Sequence, residues 1–202
     1  YDGRIEGFRA SGAPITAPGQ VAGQIDSIYI ERPLVNIGEQ SASGIDLTAK
    51  YKWELPSVGL IDVSANVAYW LTYDFFGENL AGRATVTGGT IPRYTAYVAS
   101  SWKRGPFDAF TSVRYIPKVT APDEQSGKTA AEAYASFDVG IGYRFDKSSI
   151  KWLNGMRVSV VAKNVGNEAP PQLPDTFSND SVDTGAYDPI GRSFVISAEF
   201  KF

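Results

Sequence analysis

Ile61-Asp62-Val63-Ser64-Ala65-Asn66-Val67-Ala68-Tyr69-Trp70-Leu71-Thr72-Tyr73 decides the fold class. Successive side chains of an extended chain point to opposite sides. Ile61, Val63, Ala65, Val67, Tyr69, Leu71 and Tyr73 therefore share one face, and Asp62, Ser64, Asn66, Ala68, Trp70 and Thr72 share the other. The alternation outlasts the five or six residues of an ordinary soluble strand. Outward from this stretch, period-two patterning recurs, while helical periodicity is weak throughout.

Before it, a long strand spans about Ile25 to Trp53; Ile45, Leu47, Ala49, Tyr51 and Trp53 oppose Asp46, Thr48, Lys50 and Lys52, and Pro33 and Gly38 disturb its first half. A partial strand, Asp2–Phe8, precedes that. After it come Arg93–Lys103, Phe107–Ile116, Tyr134–Phe145, Met156–Val165 and Arg192–Phe202. The connections alternate in length. Long ones lie at 9–23, 74–90, 117–131 and 166–190, and short ones at 54–59, 103–106 and 146–155. The expected fold is all-β: an antiparallel up-and-down meander of about eight strands. Short turns at one end and long loops at the other match a transmembrane β-barrel, and with the first strand only partial these strands are expected to be part of a larger one.

Composition narrows the function classes. The 202 residues include 11 Tyr, 11 Phe, 4 Trp and 20 Gly, a balance typical of β-proteins. With no Cys and no His, disulfides, thiolate chemistry, imidazole-built zinc sites and Ser-His-Asp triads are excluded. A net charge of −3 gives no reason to expect nucleic acid as a partner. No apolar run is long enough for a transmembrane helix. The chain starts on Tyr1 rather than Met and is read as a piece of a longer protein.

The apolar face places aromatic residues near strand ends, among them Trp53, Tyr69, Trp102, Phe107, Tyr143 and Phe200, where rings with one polar edge suit a membrane interface. Ile61, Val63, Val67, Leu71, Val139, Ile141, Val158, Val160, Ile196 and Phe200 are expected to face lipid. Asp62, Asn66, Arg114, Asp138, Arg157 and Glu199 are expected to face the lumen.

Three segments carry a resemblance. Asn36-Ile37-Gly38 leading to Gly44-Ile45-Asp46, Lys163-Asn164-Val165-Gly166-Asn167 ahead of a Pro-rich loop, and Tyr187-Asp188-Pro189-Ile190-Gly191-Arg192 before the last strand occur in this order. In that order and spacing they resemble the C-terminal barrel of TonB-dependent outer-membrane receptors; Val165-Gly166 departs from the Leu-Phe usual there. The resemblance implies a 22-stranded barrel whose plug domain and earlier strands are not in residues 1–202. It further implies a non-enzymatic receptor in the outer membrane of a Gram-negative bacterium. Such a receptor takes up a scarce small-molecule ligand, such as a ferric siderophore, cobalamin or an oligosaccharide, and is energised through TonB. Its partners would be outer-membrane lipid, TonB, the plug and the barrel-assembly machinery; no cofactor is expected.

Ligand contacts are expected high on the lumen wall and in long loops, at Trp70, Tyr73, Asp74, Phe75, Phe76 and Tyr187, because aromatics give large contact area at low entropy cost. The alternative is that these loops are solvated spacers. Phe194, Ile196, Phe200 and Phe202 are expected to form the terminal aromatic strand read during barrel assembly. Two rivals stand beside this reading. One is a complete eight-stranded barrel with a structural or adhesive role. The other is a carboxylate-based hydrolase, against which the Asp and Glu residues show no clustered pair.

Overall fold

The computed structural model describes residues 39–85, 89–120, 130–146, 150–172 and 182–200. The expected strand Asp2–Phe8, the leading half of the next one up to Gly38, and Phe202 lie outside them.

Seven long strands form a single antiparallel meander. They are β1 (Gln40–Leu55), β2 (Gly59–Phe75), β6 (Tyr94–Arg104), β7 (Phe107–Ile116), β10 (Tyr134–Arg144), β11 (Met156–Lys163) and β12 (Ser193–Phe200), paired in that order. Each junction at the short-turn end has a local cause. Gly59 and Gly105 adopt left-handed backbone with φ of +106° and +54°, and the Val58 amide closes the first turn onto the Leu55 carbonyl. Between β10 and β11, one 3₁₀ turn, Lys151–Leu153, is the sole helical element among the described residues.

The pairing register carries the sequence alternation across the sheet. Val67 opposes Leu47 on one side and Ala96 on the other, while Asn66 opposes Thr48 and Tyr97. Ile141 opposes Ala109 and Val160, and Arg157 opposes Arg144 and Glu199. One face is therefore apolar along its whole width and the other polar. Among the described residues nothing packs over the apolar face; Leu47 is 64% and Ile196 76% exposed. A water-soluble antiparallel sheet buries its apolar face, whereas the wall of a membrane barrel presents it to lipid. Rings edge this face at two heights. Trp53, Trp102, Phe107 and Tyr143 sit by the short turns, where the Trp102 indole donates to the Val58 carbonyl at 2.8 Å. Tyr69, Tyr94 and Tyr115 sit by the long connections. From Ile61 to Tyr69, β2 covers roughly the nine to eleven residues that a tilted strand needs to cross a bilayer.

Two glycines on the polar face of β10 explain how large side chains fit there. A Cβ on Gly140 would collide with the Phe110 ring lying across it. At Gly142 a Cβ would lie 2.7 Å from both the Arg157 Nη2 and the Asp108 Oδ2. Arg157 of β11 thus reaches over β10 to Asp108 of β7, with Nε and Nη2 at 3.0 and 2.6 Å from the two carboxylate oxygens. This two-pronged pair ties non-adjacent strands together.

The described parts of two long connections form short strands. Residues expected as loop at 74–90 and 117–131 contribute β3 (Glu78–Asn79), β4 (Arg83–Thr85), β5 (Gly89–Ile91), β8 (Val119–Thr120) and β9 (Ala130–Ala131). β3 pairs back onto β2; the others form a second small sheet in the order β5-β4-β8-β9, in which β4 and β8 are parallel. Most of the buried apolar residues gather at this end, including clusters of Ala84, Val119 and Ala131 and of Ile116, Tyr134 and Tyr187.

Candidate functional site

The loop end of β2 departs from the period-two reading at one residue. Gly44 opposes Trp70 while its neighbour Ser43 opposes Thr72, so Leu71 is an extra residue without a partner on β1. A β-bulge of this kind shifts the phase of everything beyond it. Tyr73, expected on the lipid face with Ile61 and Val67, instead comes to the same side as Trp70, and their rings meet edge-on at 5.5 Å. The Gln40 amide donates to the Tyr73 hydroxyl at 2.7 Å, and the Ser43 and Thr72 hydroxyls pair at 2.7 Å on the opposite side.

Gly44 is required here. A Cβ on it would sit 2.7 Å from the Tyr69 carbonyl oxygen and 3.2 Å from the Trp70 ring. Arg93 holds the bulge from the other edge. Its backbone carbonyl accepts from the Trp70 amide at 2.9 Å, and its guanidinium donates to the carbonyls of Leu71 and Trp70 at 3.2 and 3.4 Å.

Beyond the bulge the chain turns back at Phe76 and Gly77, both in left-handed backbone with φ of +50° and +78°. That is the conformation of a two-residue hairpin matched to strand twist. Asn79 stabilises it, its side-chain oxygen accepting from the Tyr73 and Ala81 amides. The Phe75 and Phe76 rings pack edge-on at 4.5 Å, and Phe76 stands 56% exposed at the tip. Of the six expected ligand contacts, Trp70, Tyr73, Asp74, Phe75 and Phe76 thus share one strand end and its hairpin.

Tyr187 lies elsewhere. Its side chain is 1% exposed, wedged between Ile116 and against the Tyr134 ring at 5.6 Å. Burial, and then the Asp183 carboxylate, push its phenol up to about 12. It packs the loops rather than presenting a surface. Asp183 organises the same segment: one carboxylate oxygen accepts from the Thr90 amide at 2.7 Å, the other from the Gly185 amide at 2.9 Å, and its carbonyl from the Ala186 and Tyr187 amides. From below, the Arg114 guanidinium on the polar face donates to the Ala186 carbonyl at 3.1 Å. The 182–188 segment therefore folds in over the polar wall, leaving a cavity of about 250 Å³ between Tyr97, Arg114 and Asp138 on the wall and Asp188 above.

The Lys163–Asn167 motif closes the neck of that connection. Asn164 is buried and left-handed (φ +48°). Its side chain accepts from the Glu168 amide and donates to the Glu168 carbonyl, both at 2.9 Å, while its own amide donates to Asp138 at 2.8 Å. Asn167, also left-handed, accepts from the Arg192 amide at 2.9 Å. Asn tolerates this backbone and bonds locally, so both asparagines fit their positions. Sequence reading missed Gln40, Arg93, Tyr97 and Asp183, while Arg114 lies on the polar face where it was expected. The period-two pattern places Tyr97 and Arg114 on the polar face, but no local signal marks the other three.

Among known protein families, a model described as "TonB dependent receptor-like, beta-barrel" matches residues 4–165. This chain belongs to that family. Membership of the TonB dependent receptor-like barrels places it in a family of outer-membrane transport receptors rather than enzymes. It also accounts for the apolar face left open to lipid and the polar face turned to a lumen. No curated protein and no solved structure gives a significant match.

Proposed function

We propose that the chain is the C-terminal wall of an active-uptake receptor in a Gram-negative outer membrane, energised through TonB, with a plug domain contributed by the rest of the protein. The observation that carries this is the bulge at Leu71. It gathers Trp70 and Tyr73 on the polar wall, beneath a hairpin presenting Phe75 and Phe76, at the end where the long loops lie. Membrane strands keep aromatics for their lipid face and its rims. Two rings turned inward at the mouth instead offer a capture surface to a scarce small molecule, whereas Asp74, next along the strand, points to the other face.

A larger barrel is proposed over a complete eight-stranded one because the family whose model matches residues 4–165 is that of the receptor-type barrels. The outward side chains Phe194, Ile196 and Phe200 of β12, with Phe202 outside the described residues, fit the strand offered to the assembly machinery.

The test is alanine replacement of Trp70 and Phe75 in the full-length receptor, followed by ligand binding and energised uptake. Loss of affinity with normal membrane assembly is expected. Unchanged affinity for both variants would return the hairpin to a purely structural role.

A further inference from the structure

We infer that the cavity between the polar wall and the segment leading into β12 binds a small zwitterion, a free α-amino acid being the simplest. This goes beyond the capture surface proposed above, and no residue of β1 or β2 lines the cavity. Three neighbouring strands bring charges of alternating sign to it: Arg114 of β7, Asp138 of β10 and Lys163 of β11, with Asp188 added from the connection before β12. Across the ladder each of these wall charges faces a serine. Arg114 opposes Ser136, Asp138 opposes Ser112 and Lys163 opposes Ser193. Short side chains beside long ones hollow out the wall and leave hydroxyls around the hollow, which measures about 250 Å³.

The four charges do not satisfy one another. Asp138 and Lys163 lie on adjacent strands, next to the paired Val139 and Ala162, yet among the described residues none of the four forms an ion pair. Three are steered by a bond to backbone instead. The Asp138 carboxylate accepts from the Asn164 amide at 2.8 Å, the Asp188 carboxylate accepts from the Ile190 amide at 2.9 Å, and the Arg114 guanidinium donates to the Ala186 carbonyl at 3.1 Å. A carboxylate so bonded keeps a second oxygen, and a guanidinium keeps further N–H donors, for an occupant. The set is balanced in sign. A lone anion would meet Asp138 and Asp188, and a lone cation would meet Arg114 and Lys163, so both are disfavoured. A molecule carrying both charges answers all four: its carboxylate takes Arg114 and Lys163, and its ammonium takes Asp138 and Asp188, through charge-assisted bonds. The Tyr97 ring, 45% exposed, and Ile190 offer apolar contact to its side chain. The volume lies below the roughly 300–1,000 Å³ of pockets for drug-sized ligands, which suits a molecule of few heavy atoms.

Equilibrium dialysis of the full-length receptor in detergent against radiolabelled glycine, L-alanine, L-leucine and L-glutamine tests the site. Saturable binding of at least one is expected, with affinity falling about tenfold when its ammonium is acetylated or its carboxylate converted to an amide. Lys163→Met and Asp188→Asn are each expected to weaken binding about tenfold as well. Both side chains are exposed, and Asn keeps an oxygen for the Ile190 amide, so folding is retained. No saturable binding of any of the four amino acids would overturn the site. So would equal affinity for the capped analogues, or unchanged affinity in either variant. Tighter binding of inorganic phosphate than of any amino acid would overturn it too, leaving a plain anion site. Binding is read at equilibrium, without an energised membrane, so each of these outcomes leaves the uptake reading to its own test.

Discussion

The Arg93 guanidinium donates to the Leu71 carbonyl at 3.2 Å, at the one point where β2 carries a residue more than β1. A bulged residue leaves the ladder, so its carbonyl needs a donor from elsewhere. Arg93 supplies one and thereby fixes the phase that turns Tyr73 toward Trp70. Arg93→Ala is expected to cost about 1.5 kcal/mol, the low end for hydrogen bonds to a charged group. It is also expected to shift Trp70 emission to longer wavelength. Urea unfolding in lipid vesicles with fluorescence detection reads both, and an unshifted spectrum would mean the bulge holds itself.

Val67 and Asn66 are neighbours on opposite faces of β2, opposing Leu47 and Thr48. Val67→Arg puts a charge into lipid near the midplane and should cost about 2–4 kcal/mol, whereas Asn66→Arg should cost much less. Unfolding of the barrel from lipid vesicles measures the contrast. Equal costs would contradict the assignment of faces.

Gly140 and Phe110 form a matched pair across β10 and β7. Gly140→Ala overpacks the site and should destabilise by about 1–3 kcal/mol. In the Phe110→Ala background the same change should cost almost nothing, since the ring that clashes is gone. A double-mutant cycle giving additive effects would show that the ring swings away freely.

Asn164 combines left-handed backbone with two side-chain bonds to Glu168. Asn164→Ala should destabilise the loop neck by about 1 kcal/mol more than Asn164→Gly, because Gly keeps the left-handed conformation without strain. Limited proteolysis of the 165–172 segment ranks the variants, and the opposite order would remove backbone strain from the account.

Tyr187 gives the cap a pH dependence in the alkaline range. Its phenol is pushed from its ordinary value near 10 to about 12 in the packed loop. A raised value means the packed state holds the proton more tightly. The contribution is whole below pH 10 and is lost as pH rises toward 12. Loop cleavage by an alkaline protease should therefore increase over that window in the wild type and not in Tyr187→Phe. A pH-independent rate in the wild type would show that the phenol titrates freely.

The sequence by itself determined the meander, its faces and its ends. Period-two alternation is a local property, and the observed register sets Val67, Ile141 and Val160 among like partners, as their own strands require. Gly59 and Gly105 likewise mark short turns through their own backbone freedom. What tertiary structure decided were the features whose partners are remote in the chain. Leu71 becomes a bulge because Gly44 and Arg93 meet it from two flanking segments, and only then does Tyr73 leave the lipid face. Residues expected as loop become β4, β5, β8 and β9 because strands too short to signal themselves find each other across the sheet end. Tyr187, a plausible surface aromatic when read alone, is buried because Asp183 binds the Thr90 amide and draws its segment over Ile116 and Tyr134. Alternation states which side of a strand a residue takes; what covers that side depends on chain segments far away in sequence.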